Sequence, residues 1–330
     1  MKRRTFIAGL GSTAAWSVVA RAQQGERMRR VGVLIEYDGN DAVSKTFLSG
    51  FTQALQELGW ADGRNLRMHV RWAAGNVDAM RTFAKELLDL QPDVILSQST
   101  PVTAALQHET RTVPIVFVGV NDPIGAGFVS SLARPGGNLT GFIFIEAALA
   151  GKLLELLTEI APSVRRAAIM YNPDTAAGHG SYFLPSFDAA AQSLKVEPIA
   201  APVHSDAEIE AFMRSFGREP GGGLVGMPDG FMLIHRSLVI LMAARQGIPT
   251  IYPHSASAME GGLISYGLDL VDIFRRAAPY VDRILRGEKP AELPVQLPVK
   301  FAMVLNAKTA KVLGLTVPQS ILLRADEVIE

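Results

Sequence analysis

Val31-Gly32-Val33-Leu34-Ile35-Glu36-Tyr37-Asp38 is an apolar run closed by a polar turn. It is followed by Phe47, Phe51, Leu55 and Leu58, which recur at helical spacing until Gly59 stops them. The same grammar returns at Asp93-Val-Ile-Leu96 before Ser97-Gln98-Ser99-Thr100, and at Pro114-Ile-Val-Phe-Val118 before Asn121-Asp122-Pro123. Met80, Phe83, Leu87 and Leu88 form a second helical face ahead of Pro92. Short apolar strands alternating with amphipathic helices are the mark of βαβ units on a parallel sheet, so the fold class is α/β.

The second half repeats the pattern. Ala167-Ala-Ile-Met170 leads to Tyr171-Asn172-Pro173, Gly223-Leu-Val-Gly226 to Met227-Pro228-Asp229, and Pro249-Thr-Ile-Tyr252 to His254-Ser255. Each half reads as one doubly wound lobe. The turn-rich Arg134-Pro-Gly-Gly-Asn138 and the extended Leu139-Thr-Gly-Phe-Ile143 place a first crossing between them. The strand Gly262-Leu-Ile-Ser-Tyr266 and the helix carrying Val271, Phe274, Ala278, Val281 and Leu285 are expected to return to the first lobe, with Pro290–Pro298 crossing again. The expected division is 28–142 plus 263–287 for the first lobe, and 143–262 plus 288–330 for the second.

Residues 1–22 have the layout of an export signal. Arg3-Arg4-Thr5-Phe6-Ile7 precedes a glycine-diluted apolar stretch, and Ala20-Arg21-Ala22 offers a small-x-small cleavage site. The order resembles a twin-arginine signal. The stretch falls short of the about 20 apolar residues that a membrane span needs. The expected product is a periplasmic protein cut near Ala22. The sequence contains no cysteine, which excludes disulfides, thiolate metal sites, a cysteine nucleophile and a lipid-anchor cysteine. Its 32 basic and 32 acidic residues balance, so nucleic acid is a poor partner.

In open α/β sheets, ligands bind beyond the carboxyl ends of the strands, where loops and helix N-termini face a crevice. Ser99 and Thr100, followed by Pro101, form a cradle there; both hydroxyls serve equally well as helix caps. Around them the strand ends supply Tyr37, Asp38, Asn121, Asp122, Tyr171, Asn172, Asp229 and Tyr266. Rings and carboxylates without arginine suit a ligand with an ammonium group and an apolar body, such as an amino acid with an apolar or aromatic side chain. Asp122-Pro123 and Asn172-Pro173 are also ordinary turn formers. His254, at a strand end, is the one histidine within reach of a ligand, and a solvated loop residue is the commoner outcome at such a position.

No catalytic set emerges. The six histidines show no paired spacing and no H-E-x-x-H, so no metal site is expected. No G-x-S-x-G elbow or Walker-type lysine loop occurs, and no cofactor is expected.

Longer runs carry a resemblance. Val113-Pro-Ile-Val-Phe-Val-Gly-Val-Asn-Asp-Pro-Ile-Gly-Ala-Gly-Phe-Val-Ser-Ser-Leu-Ala-Arg-Pro-Gly-Gly-Asn-Leu-Thr-Gly141 resembles the ABC-transporter substrate-binding family widespread in rhizobia and related bacteria. So do Gly261–Gly267, Leu305–Pro318 and the ending Arg324–Glu330. The resemblance implies a type I periplasmic-binding fold, two Rossmann-like lobes joined by three crossings, and some relatives bind tryptophan or other aromatic amino acids. It implies a carrier that closes on a solute by hinge motion and delivers it to an ABC permease with its cytoplasmic ATPase. A monomer suits such a carrier. The family's cleft loops fall on the same ten positions, and Met227-Pro-Asp-Gly-Phe231 departs from the family's fuller turn around Asp229. A sensory module for a membrane receptor is the alternative, and an extracytoplasmic hydrolase using Asp38 and Asp229 a remote one.

Overall fold

A computed structural model describes residues 27–144 and 146–330. The expected signal, residues 1–22, lies outside the described residues.

Two sheets are present. The first has order β2-β1-β3-β4-β5, from Leu66–Trp72 (β2), Arg29–Ile35 (β1), Val94–Gln98 (β3), Ile115–Val120 (β4) and Leu139–Ile143 (β5), all parallel. The helices Ala42–Glu57 and Leu270–Leu285 cover one face, and Val77–Asp89 and Thr100–Glu109 the other. β3 is buried at all five positions, which is why its sequence is apolar without alternation. Helix starts follow local chemistry: Asp41, Asn76 and Asp269 each accept the backbone N–H three residues on, at 3.0, 2.9 and 3.1 Å.

The second sheet has order β12-β11-β10-β9-β8-β6-β7. Its strands are Arg166–Tyr171 (β6), Glu197–Pro202 (β7), Gly222–Gly226 (β8), Thr250–Tyr252 (β9), Ile264–Leu268 (β10), Phe301–Asn306 (β11) and Glu327–Ile329 (β12). All pairs are parallel except β10 with β11. Buried apolar side chains of both lobes form one continuous cluster, flanked by a separate core under the far face of each sheet.

The chain crosses between the sheets three times, at positions that differ in detail from the expected ones. β10 stays in the second sheet instead of returning to the first. Ile264 pairs with Ile251 of β9 on one side and with Leu305 of β11 on the other, so both edges of the strand are satisfied there. Only the following helix, Leu270–Leu285, returns to pack on Ala42–Glu57. The segment after it also remains with the first lobe. Val295 N–H donates to Leu132 O at 2.7 Å, and Gln296 exchanges bonds with Gly141 O at 2.9 Å and Ile143 N at 3.0 Å, extending the sheet past β5. The third crossing is therefore 297–300, shorter than Pro290–Pro298. The crossings, one following Phe144, one at Asp269 and one at 297–300, leave a cleft between the carboxyl ends of the two sheets.

Candidate functional site

β1 ends in Glu36 and Tyr37, β3 in Gln98 and Ser99, and β4 in the loop of Asn121; the second lobe faces them with Pro228, Asp229 and His254. These residues, with Phe144 and Thr175 beside them, line a narrow gap between the closely apposed lobes, in which about 20 Å³ is open to the centre of a water molecule. The lobes touch around it: Asn121 Nδ2 donates to Pro228 O at 3.3 Å, and Arg236 pairs with Asp41 at 2.6 Å across the cleft.

Ser99 has an unusual backbone. Its φ of 83° and ψ of 162° fall in a region that glycine occupies readily and serine at a cost. Its neighbours hold it there. Ser99 N donates to Val118 O at 3.0 Å, and Ser99 O accepts from Thr103 N at 3.1 Å and Thr103 Oγ1 at 2.7 Å. The consequence is a hydroxyl turned into the cavity, buried and without a partner. Neither hydroxyl of the cradle caps the helix: Thr100 Oγ1 accepts the Asn121 N–H at 3.1 Å and so ties the β3 and β4 loops together.

Further buried polar atoms are left open in the same cavity. Both oxygens of Glu36, Asn121 Oδ1 and both ring nitrogens of His254 have no hydrogen-bond partner. Such groups are rare in folded proteins because each forfeits its solvation. Burial pushes the Glu36 carboxyl up to about 8; the Ser99 hydroxyl draws it partly back without reaching hydrogen-bond geometry, and the Asp229 charge raises it further. Burial holds His254 down to about 3, with a smaller push from Arg236, so its ring, stacked on Phe144 at 5.3 Å, is neutral. Asp229 is pushed up to about 7 by burial, against the backbone bonds it accepts.

Of the ten positions singled out from the sequence, Tyr37, Ser99, Thr100, Asn121 and Asp229 line this cavity. Asp229 also has structural duties, accepting Met232 N at 2.8 Å as a helix cap and Asn172 N at 3.1 Å. The others stand elsewhere. Asp38 is exposed and lines the neighbouring mouth between Asp41 and Arg236. Asp122, at φ 44°, accepts Gly125 N at 2.9 Å in its own turn. Asn172 sits behind Asp229 and accepts Asp174 N at 2.8 Å; Tyr171 is buried against Gly180. Tyr266 stacks on Phe301 at 5.5 Å within the β10–β11 pair. Glu36, Gln98, Phe144, Thr175 and Pro228 were missed. For Glu36 and Gln98 the signal was present, since each stands at the carboxyl end of a strand already recognised.

Two sheets of mostly parallel strands, three crossings and a polar cavity between the carboxyl ends define a two-lobed solute-binding protein of the type I periplasmic fold. The comparisons agree. A family described as ABC transporter substrate binding protein matches residues 30–329, and the chain belongs to that family. It is 24% identical over 302 residues, 88% of this chain and 82% of the other, to a tyrosine-binding protein of Clostridioides difficile. A conserved domain protein of Vibrio cholerae superposes with a TM-score of 0.84 at 26% identity, covering 92% of this chain and all of that one. An ABC domain from Streptococcus pneumoniae in complex with L-Trp superposes with a TM-score of 0.83 at 24% identity, covering 91% of this chain and 99% of that one. The chain is thus a solute-binding component of an ABC transporter. No described helix is long and apolar enough to cross a membrane.

Proposed function

We propose that the interlobe cavity captures an amino acid with an aromatic side chain and presents it, with the lobes closed, to an ABC permease in the membrane. The observation that carries this is the convergence of unpartnered buried groups from both lobes, Glu36, Ser99 and Asn121 facing His254, on one gap. Such groups are satisfied by a solute with several polar atoms at one end. The Phe144–His254 stack and the Tyr37 ring supply apolar faces beside them. Relatives that bind tyrosine and tryptophan support the same ligand class. The twin arginine at Arg3-Arg4 supports export to the periplasm through that route, with cleavage near Ala22. Of the sequence positions, Tyr37, Ser99, Thr100, Asn121 and Asp229 belong to the binding site in this proposal.

Titration calorimetry of the full chain against the twenty common L-amino acids tests it. Saturable one-to-one binding of L-tyrosine or L-tryptophan, with aliphatic and acidic amino acids weaker, is expected. Binding of none of them, or a preference for aspartate or glutamate, would refute the ligand class.

A further inference from the structure

Glu36 is the least expected group in the cavity. It is fully buried, and both carboxyl oxygens are unpartnered. Its backbone is fixed, with Glu36 N donating to Gln98 Oε1 at 3.0 Å and Glu36 O accepting Gly75 N at 2.7 Å, so the side chain is aimed rather than loose. It reaches across the cleft. A Cβ added to Gly230 of the second lobe would lie 2.2 Å from its Cδ and Oε2. When the lobes close, then, this carboxyl group is sealed under the backbone of the opposite lobe.

Nothing cationic meets it. No lysine or arginine lines the cavity among the described residues. Arg236 of the second lobe, in the neighbouring mouth, is engaged with Asp41 and Glu260 at 2.6 and 2.8 Å. The groups that face Glu36 are the Ser99 hydroxyl, the Tyr37 phenol, the neutral His254 ring and the Asp229 carboxyl, which adds like charge. An ionised carboxylate sealed in this way loses its hydration and receives nothing in return.

We infer that Glu36 makes closure of the lobes conditional on a cationic nitrogen in the solute. In the open form Glu36 is hydrated and ionised. A solute with a protonated amine brings the missing charge, donates N–H bonds to the two free oxygens, and lets the lobes close with the carboxylate still ionised. A solute without the amine closes the lobes only if Glu36 takes up one proton from solvent. That second route becomes harder as pH rises, over the interval between the ordinary carboxyl value of 4.5 and the buried value of about 8. The inference rests on the cavity being the solute site; it adds which residue reads the solute and how.

The test compares pairs of solutes that differ in the amine alone: L-tyrosine with 3-(4-hydroxyphenyl)propanoate, and L-tryptophan with indole-3-propanoate. Calorimetry on the full chain at pH 5.5, 6.5 and 7.5 gives the affinity ratio within each pair. In the wild type this ratio should favour the amine and widen by roughly tenfold per pH unit. In Glu36→Gln the ratio should collapse towards one and lose its pH dependence, through weaker binding of the amine and stronger binding of the analogue. Asp229→Asn removes the like charge that raises Glu36 and should narrow the pH interval while the widening itself persists. A Glu36→Gln protein that keeps the wild-type ratio overturns the inference, as does a pH dependence that disappears with Asp229→Asn instead. Should neither aromatic amino acid bind, the proposed ligand class fails. Glu36 is then judged by a thermal-shift screen of other solutes: amine-bearing binders lost in Glu36→Gln sustain it, and exclusively amine-free binders overturn it.

Discussion

Asp41→Asn isolates the one ion pair that, among the described residues, spans the mouth of the cleft. Asp41 divides its oxygens between two tasks. Oδ2 accepts from Ser44 N at 3.0 Å and Ser44 Oγ at 2.7 Å, capping the helix Ala42–Glu57, while Oδ1 meets Arg236 of the other lobe at 2.6 Å. Asparagine keeps one acceptor for the cap and turns an N–H₂ towards the guanidinium, so the first lobe stays intact and the bridge is lost. A hydrogen bond to a charged partner contributes about 1.5–3 kcal/mol. The Asp41 side chain is 21% exposed and Arg236 retains Glu260, so solvent screening places the loss nearer about 1–2 kcal/mol. The bridge exists only with the lobes closed, and the loss falls on closure: affinity for L-tyrosine or L-tryptophan should weaken roughly 5- to 30-fold. The melting temperature of the ligand-free protein should barely move. Calorimetry, with small-angle X-ray scattering to follow closure, checks both. Unchanged affinity and an unchanged closed fraction would refute the role of the bridge as a latch.

Three further outcomes are expected. Because the closed form raises the Glu36 carboxyl from 4.5 to about 8, it binds more protons than the open form across that window; closure without ligand is therefore favoured at low pH and lost as pH rises towards 8. The full shift corresponds to roughly 5 kcal/mol at most, and the radius of gyration of the ligand-free protein should grow with pH more steeply in the wild type than in Glu36→Gln, where Asp229, raised to about 7 by burial, keeps a smaller dependence; equal pH profiles would contradict this. Ser99→Gly should relieve the backbone at φ 83° and raise unfolding stability by about 1 kcal/mol, while Ser99→Ala should not, and both should weaken binding by removing the cavity hydroxyl; identical denaturation midpoints for the two would contradict the strain. Gly141→Ala would set a Cβ 2.0 Å from Phe117 O between β4 and β5, and chemical denaturation should show a loss of more than about 4 kcal/mol or failure to fold.

The central strands were readable because burial on both faces removes alternation: β1, β3 and β4 stand out as apolar runs with turns after them. Two of the edge strands, β2 and β7, were not. β2, Leu-Arg-Met-His-Val-Arg-Trp, mixes charge into a half-exposed strand, and β7 contains Pro198 and Pro202, which an edge tolerates and a periodicity search discounts. The rule that ligands sit beyond strand carboxyl ends points to Tyr37, Ser99, Thr100, Asn121 and Asp229, which the fold brings together along the gap. Asp122 and Asn172, whose side chains serve their own turns, and Tyr266, whose ring stacks on Phe301, stand outside that gap. Glu36 was passed over because a carboxylate between an apolar run and a turn reads as the start of the turn. What distinguishes it is the loss of solvent when the second lobe closes, a consequence of three-dimensional packing. The Asp41–Arg236 bridge joins positions 195 apart in the chain and leaves no local signal.

The most direct measurement of the central claim is a crystal structure of the protein grown with L-tyrosine or L-tryptophan. The expected result is one amino acid between the lobes, its amine on Glu36, its polar end among Ser99, Asn121 and His254, and its ring beside Phe144 and Tyr37. A ligand bound outside the interlobe gap, or one inside it that leaves Glu36 without a partner, would contradict that assignment.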